Sequence, residues 1–400
     1  MPALPPPSRL TRRALLGAAG AVAVGSLLGC DGPSAPAPAS WQQRLRTATP
    51  GSPRRIAFLG DSISFGGGPP PGSGSSLPKY RWCYPGQLRA ALDTTYGAAG
   101  TGWVLMNHAL WPVTAANRGW EPRVRVVGRV TKEAAGPFKR ACFGIPAGGR
   151  RPRSYVEFTA AGSRFTTLVR GQPGGRSRQL VSVDGGALHS LANVAAPAPG
   201  LLRSDIPTGS AGRHTIRVWG DVGRCDLVAV SASTGEGLYL VDNVSSSGES
   251  LLTFLGPADP ALEPLFGLPY VARFAFDLLV VELGTNDYNA GRPLEEVEPE
   301  VRLLLDRQRA TGGDVVLTFP PVSAPSLHPA GGPTYAEYVD RYAAIASATG
   351  TPFLDLSHLW GATFAEADAV RPQKYADHAI HPSDSGAADI AARVRSFLEL

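Results

Sequence analysis

The stretch RRIAFLGDS, residues 54–62, is the part of the sequence from which the fold can be worked out. Its first seven residues form a short, nearly continuous apolar run that ends in glycine, which predicts a buried β-strand. Strands of this kind are typical of parallel sheets with both faces covered by helices. Ser62 follows at the carboxyl end of the strand, where open α/β sheets bind their ligands. We therefore expect its hydroxyl to project into a crevice.

Similar runs and helical patterns alternate in the last third of the chain. Strands are predicted in DLLVVELG (277–284), DVVLTFPP (314–321) and PFLDLSHLW (352–360). Apolar residues at helical spacing predict helices over 295–310, 335–348 and the C-terminal segment. The predicted buried faces are Val297, Val301, Leu304 and Leu305; Tyr338, Tyr342 and Ile345; and Ile390, Val394, Phe397 and Leu398. Strand alternating with helix predicts an open parallel α/β sheet.

The middle of the chain has a different pattern. Residues 121–236 contain short β-like runs separated by Gly, Pro and Asp turns, with no helical periodicity between them. This spacing is typical of a small all-β sandwich. The sequence thus predicts an α/β domain in two parts, 53–120 and 237–400, with a β-sandwich inserted at 121–236, where a surface loop can open.

Composition indicates an ordinary globular protein. The 400 residues are 43% hydrophobic and 18% charged, enough for a sizeable core. The net charge of +5 is spread over many arginines, and no basic stripe is interleaved with aromatic residues. No nucleic-acid partner is therefore predicted.

The N-terminus has the form of an export signal. A basic segment, SRLTRR, precedes an apolar run over 14–29 and then Cys30. The run is too short for a spanning helix, which needs about 20 apolar residues, and an uncleaved anchor is the alternative. TRRALL resembles a twin-arginine signal and LLGC a lipobox, which implies lipidation of Cys30. We expect a signal peptide at 1–30, a Pro/Ala-rich tether at 31–52 with folding from near Pro53, and a membrane-anchored lipoprotein facing the periplasm or cell surface.

Three cysteines remain once Cys30 is assigned to lipid: Cys83, Cys142 and Cys225. An oxidising compartment permits one disulfide, and Cys142–Cys225 is the preferred pair because both lie in the middle segment. Folding before export, in a reducing compartment, keeps the alternative of three thiols open. No paired CxxC spacing for zinc is present.

Four sequence blocks, in order, resemble the SGNH (GDSL-type) serine hydrolase family. They are FLGDSIS (58–64), NVSSSGES (243–250), VELGTNDYN (281–289) and IHPSDSG (380–386). The resemblance implies a flavodoxin-like three-layer α/β sandwich around a parallel sheet, with Ser62 as nucleophile and His381 as base. It also implies an oxyanion hole formed by the backbone N–H groups of Ser62 and Gly248 and the side-chain amide of Asn286. Neither a cofactor nor a metal is expected.

The chemistry of these residue types agrees with those roles. A serine hydroxyl is a poor nucleophile at neutral pH and needs an adjacent base. An imidazole titrates near the working pH, so His381 is the candidate to accept the proton and return it to the leaving alcohol. The tetrahedral intermediate carries an oxyanion, which needs hydrogen-bond donors fixed in advance.

A second glycine-rich stretch is an alternative second block. YGAAGTGWV (96–104) follows a helical pattern and precedes the predicted insertion. Gly248 is preferred because NVSSSG reproduces the family's Asn-to-Gly spacing and follows a predicted strand. Residues 97–102 then form the exit from the first helix and, with Trp103, line the cleft.

The acid of the expected triad departs from the family pattern. The usual spacing is Asp-x-x-His, but here His378 occupies that position and Asp377 lies one residue further away. Either the loop bulges and Asp377 orients His381, or the site is a Ser–His dyad oriented by another group. A metal pair of His378 and His381 is disfavoured, because Pro382 opposes a helix there. Asp384 is expected to favour a helix N-terminus by its charge.

The resemblance extends to bacterial peptidoglycan and polysaccharide O-acetylesterases. These enzymes often carry a β-sandwich of the jelly-roll or carbohydrate-binding-module kind, and residues 88–104 are similar to the segment after their nucleophile. An exported esterase that removes acetyl or other small acyl groups from a carbohydrate is thereby implied, with Trp103, Trp111 and Trp120 as stacking faces for sugar rings. The alternatives are a lipase or thioesterase for longer chains, an O-acetyltransferase, and a non-catalytic glycan-binding protein.

Overall fold

The computed structural model describes residues 41–67, 79–106, 121–133, 142–147, 153–170, 178–191, 201–255, 276–310, 312–370, 374–376 and 380–400. The predictions for the signal peptide and Cys30 lie outside these residues, as do those for Trp111, Trp120, Asp377 and His378.

The helices and strands are numbered along the chain. The strands are β1 (Arg54–Gly60), β2 (Gly100–Leu105), β3 (Val124–Val127), β4 (Thr131–Glu133), β5 (Cys142–Ile145), β6 (Tyr155–Ala161), β7 (Arg164–Arg170), β8 (Gln179–Val183), β9 (His189–Leu191), β10 (Leu201–Pro207), β11 (Arg213–Gly220), β12 (Cys225–Ser233), β13 (Tyr239–Asn243), β14 (Leu278–Glu282), β15 (Asp314–Phe319) and β16 (Phe353–Asp355). The helices are α1 (Trp41–Arg46), α2 (Ser62–Phe65), α3 (Lys79–Trp82), α4 (Tyr84–Tyr96), α5 (Leu251–Leu255), α6 (Thr285–Asn289), α7 (Leu294–Arg309), α8 (Tyr335–Thr349), α9 (Phe364–Val370) and α10 (Asp384–Phe397), with a 3₁₀ turn at Pro325–Leu327.

The predicted parallel sheet is present, and its strand order is flavodoxin-like. Its strands lie in the order β13-β1-β14-β15-β16, and every neighbouring pair is parallel. When these five strands are numbered by their order along the chain, they lie in the order 2-1-3-4-5. The second strand is added on one side of β1 and the later strands on the other side, which makes a switch point at β1. A crevice opens at the carboxyl ends of the strands at such a switch point, which here means at the ends of β1 and β14.

Helices cover both faces of this sheet. On one face α7 and α8 bury all the predicted residues of their apolar stripes, among them Val297, Leu304 and Tyr342. On the other face α4 and α10 pack against β1 and β13. Ile390, Val394 and Leu398 are buried as predicted, whereas Phe397 is partly buried and stacks on Trp41. The three-layer α/β prediction is confirmed.

The middle of the chain forms two antiparallel sheets. One has the order β10-β7-β12-β5-β4, with β2 also paired to β12, and the other has the order β3-β6-β11-β8-β9. An apolar cluster that includes Phe143, Phe158, Phe165 and Ile216 lies between them. The first sheet begins at Gly100, before the predicted boundary at 121, because β2 pairs with β12 through Val104 and Val230.

The antiparallel sheets also share a core with the α/β part. Leu168 of β7 and Ala229 of β12 belong to the same buried cluster as Phe254 of α5 and Val301 of α7. A separate inserted domain would bury its apolar residues in a core of its own. The middle segment is therefore joined to the α/β layers by packing as well as by the chain.

The predicted tether at 31–52 is too long. Trp41 and Leu45 lie one helical turn apart on α1, and both are buried. Arg44 donates to the carboxylate of Asp314, and Trp41 stacks on Phe397. The folded part thus begins before Pro53, because two large apolar side chains in this short segment find places in the core.

The preferred Cys142–Cys225 disulfide is wrong. Cys83, Cys142 and Cys225 are all thiols and all buried. In the antiparallel pairing of β5 with β12, Cys225 is opposite Ile145, three residues or about 10 Å from Cys142 along β5. A disulfide requires Cα atoms closer than about 7 Å, so this register does not allow the bridge.

No helix in the described part of the chain is long and apolar enough to cross a membrane.

Candidate active site

Ser62 is the first residue of α2, directly after β1. Asp61 precedes it, and one carboxylate oxygen of Asp61 accepts a hydrogen bond of 2.8 Å from the backbone N–H of Ile63. Gly66 ends the helical turn in the left-handed conformation, at a φ of 89°. The strand end and this capped turn hold the Ser62 side chain at the sheet edge, where it is 5% exposed.

His381 reaches Ser62 from the far end of the sequence. Its Nε2 lies 2.9 Å from Ser62 Oγ, a hydrogen-bond distance suited to proton transfer. Two residues 319 positions apart in the chain thus form the contact that a serine nucleophile requires.

The loop that carries His381 is braced on both sides. The backbone N–H of Ala376 donates to the His381 carbonyl at 2.7 Å, and Tyr375 forms an isolated bridge with Pro382. The Tyr375 hydroxyl donates to the carbonyl of Val322 at 2.6 Å. After His381, Ser383 caps α10 through a 3.1 Å hydrogen bond from the Gly386 N–H. Asp384 is the first residue of that helix, where its charge was expected to act.

Asn286 and the loop containing Gly248 meet at the same edge. Asn286 lies in α6, which follows β14, and its side-chain Nδ2 donates to the Glu249 carbonyl at 2.7 Å. The Ser246 N–H donates to the Gly60 carbonyl at 3.0 Å, which ties this loop to the end of β1. Gly248 is exposed and has a φ of 76°, a conformation that favours glycine. An amide nitrogen has two hydrogens, so Asn286 retains one for an oxyanion.

The alternative second block lies elsewhere. Within residues 97–102, Gly102 packs against the middle of β13, where a Cβ would be 2.4 Å from the Val241 carbonyl oxygen. Trp103 is 3% exposed, and its backbone N–H donates to a carboxylate oxygen of Asp242 at 2.5 Å. The predictions that Trp103 lines the cleft and stacks on sugars are wrong, because this side chain is part of the core.

Asp287 and Thr285 flank Asn286 and are buried. Arg292 donates to Asp287 Oδ1 at 2.7 Å, and the Leu251 N–H donates to Asp287 Oδ2 at 3.3 Å. The first contact ties α6 to Arg292, just after the helix, and the second ties it to the start of α5. Asp287 therefore positions the helix that carries Asn286.

Gly67 is a site residue that the sequence analysis missed. A Cβ on this residue would lie 2.6 Å from His381 Cδ2 and 2.8 Å from the Ser62 Cβ. Its N–H also donates to the Ser62 carbonyl. The sequence offers a run of three glycines here, Gly66–Gly68, with nothing to show which of them touches the catalytic pair.

Gly67→Ala is expected to lower kcat by about 10²-fold, because misplacing a catalytic group by about 1 Å has effects of this size. The new methyl group has to displace the imidazole or the serine. Steady-state hydrolysis of a nitrophenyl acetate would measure it. The matched control is Gly186→Ala, an exposed glycine without a positive φ, whose added Cβ would meet only the Val183 carbonyl oxygen, at 3.1 Å. Wild-type activity in Gly67→Ala would show that the loop carrying His381 can move to make room for the methyl group without loss of function.

Two buried carboxyl groups lie beneath the nucleophile, and the sequence analysis assigned no role to either. Glu282 Oε2 accepts hydrogen bonds from Ser64 Oγ at 2.7 Å and from Ser64 N at 3.1 Å. Burial raises the pKa of Glu282 well above its usual value, and the charge of Asp61 adds to this effect. Burial also raises the pKa of Asp61 from 3.8 to about 7, against the Ile63 N–H and the charge of His381, which lower it.

Asp61→Asn is expected to raise the melting temperature relative to wild type more at pH 8 than at pH 4. The folded-state pKa lies above the unfolded one, so wild type loses stability as pH rises from about 4 to 7. The amide does not ionise and still accepts from the Ile63 N–H. The shift corresponds to at most about 4 kcal/mol of unfolding free energy. Calorimetric melting of both proteins tests this, and equal shifts at the two pH values would contradict it.

Asn286→Ala is expected to lower kcat by about 10²- to 10³-fold, with a smaller change in KM, because an oxyanion donor acts mainly in the transition state. The change also removes the hydrogen bond to Glu249. Asn289→Ala, a substitution at the other end of α6, is the matched control. Equal kcat values for the two variants would show that Asn286 is not a hydrogen-bond donor to the oxyanion.

The strand order, the serine–histidine contact and the neighbouring amide define an α/β serine hydrolase. The family model described as "GDSL-like Lipase/Acylhydrolase family" matches residues 209–388. Residues 209–388 therefore match a GDSL-like acylhydrolase domain, and the chain is an ester-hydrolysing enzyme. The matched range contains Gly248, Asn286 and His381, whereas Ser62 lies upstream of it and joins them through the fold.

Two solved structures are similar to this chain at low sequence identity, and the first of them shares its fold. One described as "Peptidoglycan O-acetylesterase in action" is 18% identical, with a TM-score of 0.63 over 90% of this chain and 95% of that one. A family two carbohydrate esterase from Cellvibrio japonicus is 14% identical, with a TM-score of 0.30 over 74% of this chain and 98% of that one. The comparison with curated proteins found no match.

Proposed function

We propose that this enzyme removes small acyl groups, acetyl first among them, from a cell-wall or extracellular carbohydrate. The observation that carries the proposal is the 2.9 Å contact between His381 Nε2 and Ser62 Oγ at the switch point of the sheet. Asn286 follows β14, the strand paired with β1, and we assign its side-chain amide as a donor to the oxyanion that forms from the ester carbonyl.

The mechanism follows from these positions. His381 Nε2 takes the proton of Ser62 as Oγ attacks the ester carbonyl, and a tetrahedral oxyanion forms. The Asn286 amide and the N–H groups of Ser62 and Gly248 stabilise that charge. His381 then protonates the leaving sugar oxygen, and the carbon–oxygen bond of the ester breaks. Water, deprotonated by His381, releases the acyl group from Ser62 as a carboxylic acid.

The carbohydrate part of the proposal rests on one likeness in fold. The likeness in fold to a peptidoglycan O-acetylesterase extends over nearly all of both chains, so it includes the antiparallel sheets as well as the α/β part. We assign those antiparallel sheets to carbohydrate binding, in the manner of a carbohydrate-binding module that is packed onto the α/β part.

Acetate release tests the proposal. Wild type and Ser62→Ala are incubated with O-acetylated peptidoglycan, xylan and alginate, and acetate is measured over time. Wild type is expected to release acetate from at least one polymer and the variant from none. Nitrophenyl esters of increasing chain length are the second arm, with acetate expected to be the best substrate. Preference for long chains would overturn the substrate assignment and indicate a lipase or thioesterase.

We further propose that the enzyme acts outside the cytoplasm, anchored through a lipid on Cys30. Since α1 begins at Trp41, the tether after the lipidated residue shortens to Asp31–Ser40. Ten residues reach at most about 35 Å, so the domain would stay close to the membrane surface. Radiolabelled palmitate is expected to label wild type and not Cys30→Ser. Labelling of both would contradict the anchor.

A further inference from the structure

A cavity of about 310 Å³ lies far from Ser62, between the β7–β12–β10 sheet and the start of β1. Its polar lining consists of Arg55, Ser163, Arg164, Thr166, Arg203, Ser231 and Ser233, and we call it the arginine cavity. Arg55 lies at the amino end of β1, about 17 Å along the strand from Gly60. The arginine cavity is therefore on the edge of the sheet opposite the catalytic pair.

The strand register places the polar side chains on one sheet face. Thr166 is opposite Ser231, and Arg164 is opposite Ser233. Their chain neighbours Phe165 and Ala232 point into the apolar core between the antiparallel sheets, so these four residues point the other way. Further along the same face, Leu168 and Ala229 belong to the core shared with the α/β part. The face changes from apolar to polar where the cavity opens.

The charges around the cavity leave one guanidinium uncompensated. Arg55 is paired with the buried carboxylate of Asp242 at 2.8 Å. Arg203 pairs at 3.3 Å with Asp205, which also accepts from Thr166 at 2.7 Å. Arg164 is exposed and has no carboxylate partner among the described residues. None of the described residues lining the cavity is acidic.

Serine hydroxyl groups add hydrogen-bond donors and acceptors to the lining of the cavity. Ser231 is 6% exposed, and its side chain is part of the polar lining of the cavity. Such a hydroxyl both donates and accepts, as the hydroxyls of a sugar do. A guanidinium fork matches a carboxylate in shape and charge. The volume also falls at the lower end of the range for small-ligand sites, about 300–1,000 Å³.

We propose that the arginine cavity binds an acidic sugar, a pyranose that carries one carboxylate. Arg164 pairs with the carboxylate, and Ser231 and Ser233 share hydrogen bonds with the ring hydroxyls. This is a second site on the enzyme, and it would hold an acidic glycan chain apart from the ester under attack. The proposal stands on the cavity and does not require the ester chemistry.

Glucuronate is the probe, with glucose as its uncharged counterpart. Binding to the full-length protein is measured by calorimetry, with no turnover involved. Glucuronate is expected to bind at least about tenfold more tightly than glucose, and Arg164→Gln to remove that difference, because charge-assisted hydrogen bonds are the stronger kind. Arg213→Gln, at an exposed arginine of the other antiparallel sheet, is the matched control and is expected to bind like wild type.

A second variant leaves Arg164 in place. Ser233→Asp puts a carboxylate directly across the strand pair from Arg164, within reach of its guanidinium, and is expected to weaken glucuronate binding at least about tenfold. Equal binding of glucuronate and glucose by wild type would overturn the proposal, as would unchanged binding in both variants. Inorganic phosphate that competes as well as glucuronate would also overturn it, since the site would then recognise charge alone.

Discussion

Ser62→Ala is expected to lower kcat for acetyl-ester hydrolysis by about 10⁶-fold, the effect of removing a serine nucleophile that acts as a unit with its histidine. The reason is the contact between Ser62 Oγ and His381 Nε2, which leaves the imidazole no oxygen to activate once the hydroxyl is gone. Single-turnover and steady-state hydrolysis of nitrophenyl acetate would measure the loss. Ser347→Ala, on the exposed side of α8, is the control for a serine-to-alanine change.

The double variant sharpens this prediction. His381→Ala is expected to reduce kcat about as much as Ser62→Ala, and the double variant no further, because each residue is ineffective without the other. Losses that multiply in the double variant would mean that the two residues act independently. That result would contradict the proton transfer between them.

Asp377→Asn is expected to lower kcat by about 10⁴-fold, as when the acid of a serine–histidine–aspartate triad is made neutral. Asp377 directly follows Ala376, whose N–H is bonded to the carbonyl of His381. The bridge between Tyr375 and Pro382 holds the same two chain segments together. Asp377 itself lies outside the described residues, so its role as the acid remains a prediction that this variant tests. Steady-state hydrolysis of nitrophenyl acetate by wild type and Asp377→Asn measures the loss.

Asp384→Asn is the matched control, the same substitution on the other side of His381. Asp384 begins α10, so we expect a small loss of stability and activity within a few-fold of wild type. If Asp377→Asn behaves in the same way, another group orients His381, and the site is a dyad.

Much of the α/β fold could be predicted because its signals are local. The runs in β1, β14 and β15 are apolar throughout, and the stripes of α7 and α8 repeat every three to four residues. Burial on a helix or strand face requires that periodicity, so it can be seen without knowing the neighbours. The site motifs were visible for a related reason: three of them follow strand ends, which meet at one edge of a parallel sheet, and the fourth leads into a helix.

The errors of prediction concern contacts between distant segments. Trp103 has the same local pattern whether it faces a cleft or the core, and only the pairing of β2 with β12 places it inside. Cys142 and Cys225 share a segment, but the strand register separates them. Trp41 and Leu45 stand in a Pro/Ala-rich region, and their burial depends on α10 and β1, which lie far along the chain.

The amino-acid sequence was thus sufficient to predict the elements of the parallel sheet and its helices and the four motifs at the site. The tertiary structure decided which residues touch: His381 on Ser62, Gly67 against both, Glu282 beneath Ser64, and the hydroxyls around Arg164. Periodicity and motifs depend on neighbours along the chain, whereas these contacts depend on register and packing between segments up to 319 residues apart, which no local pattern records.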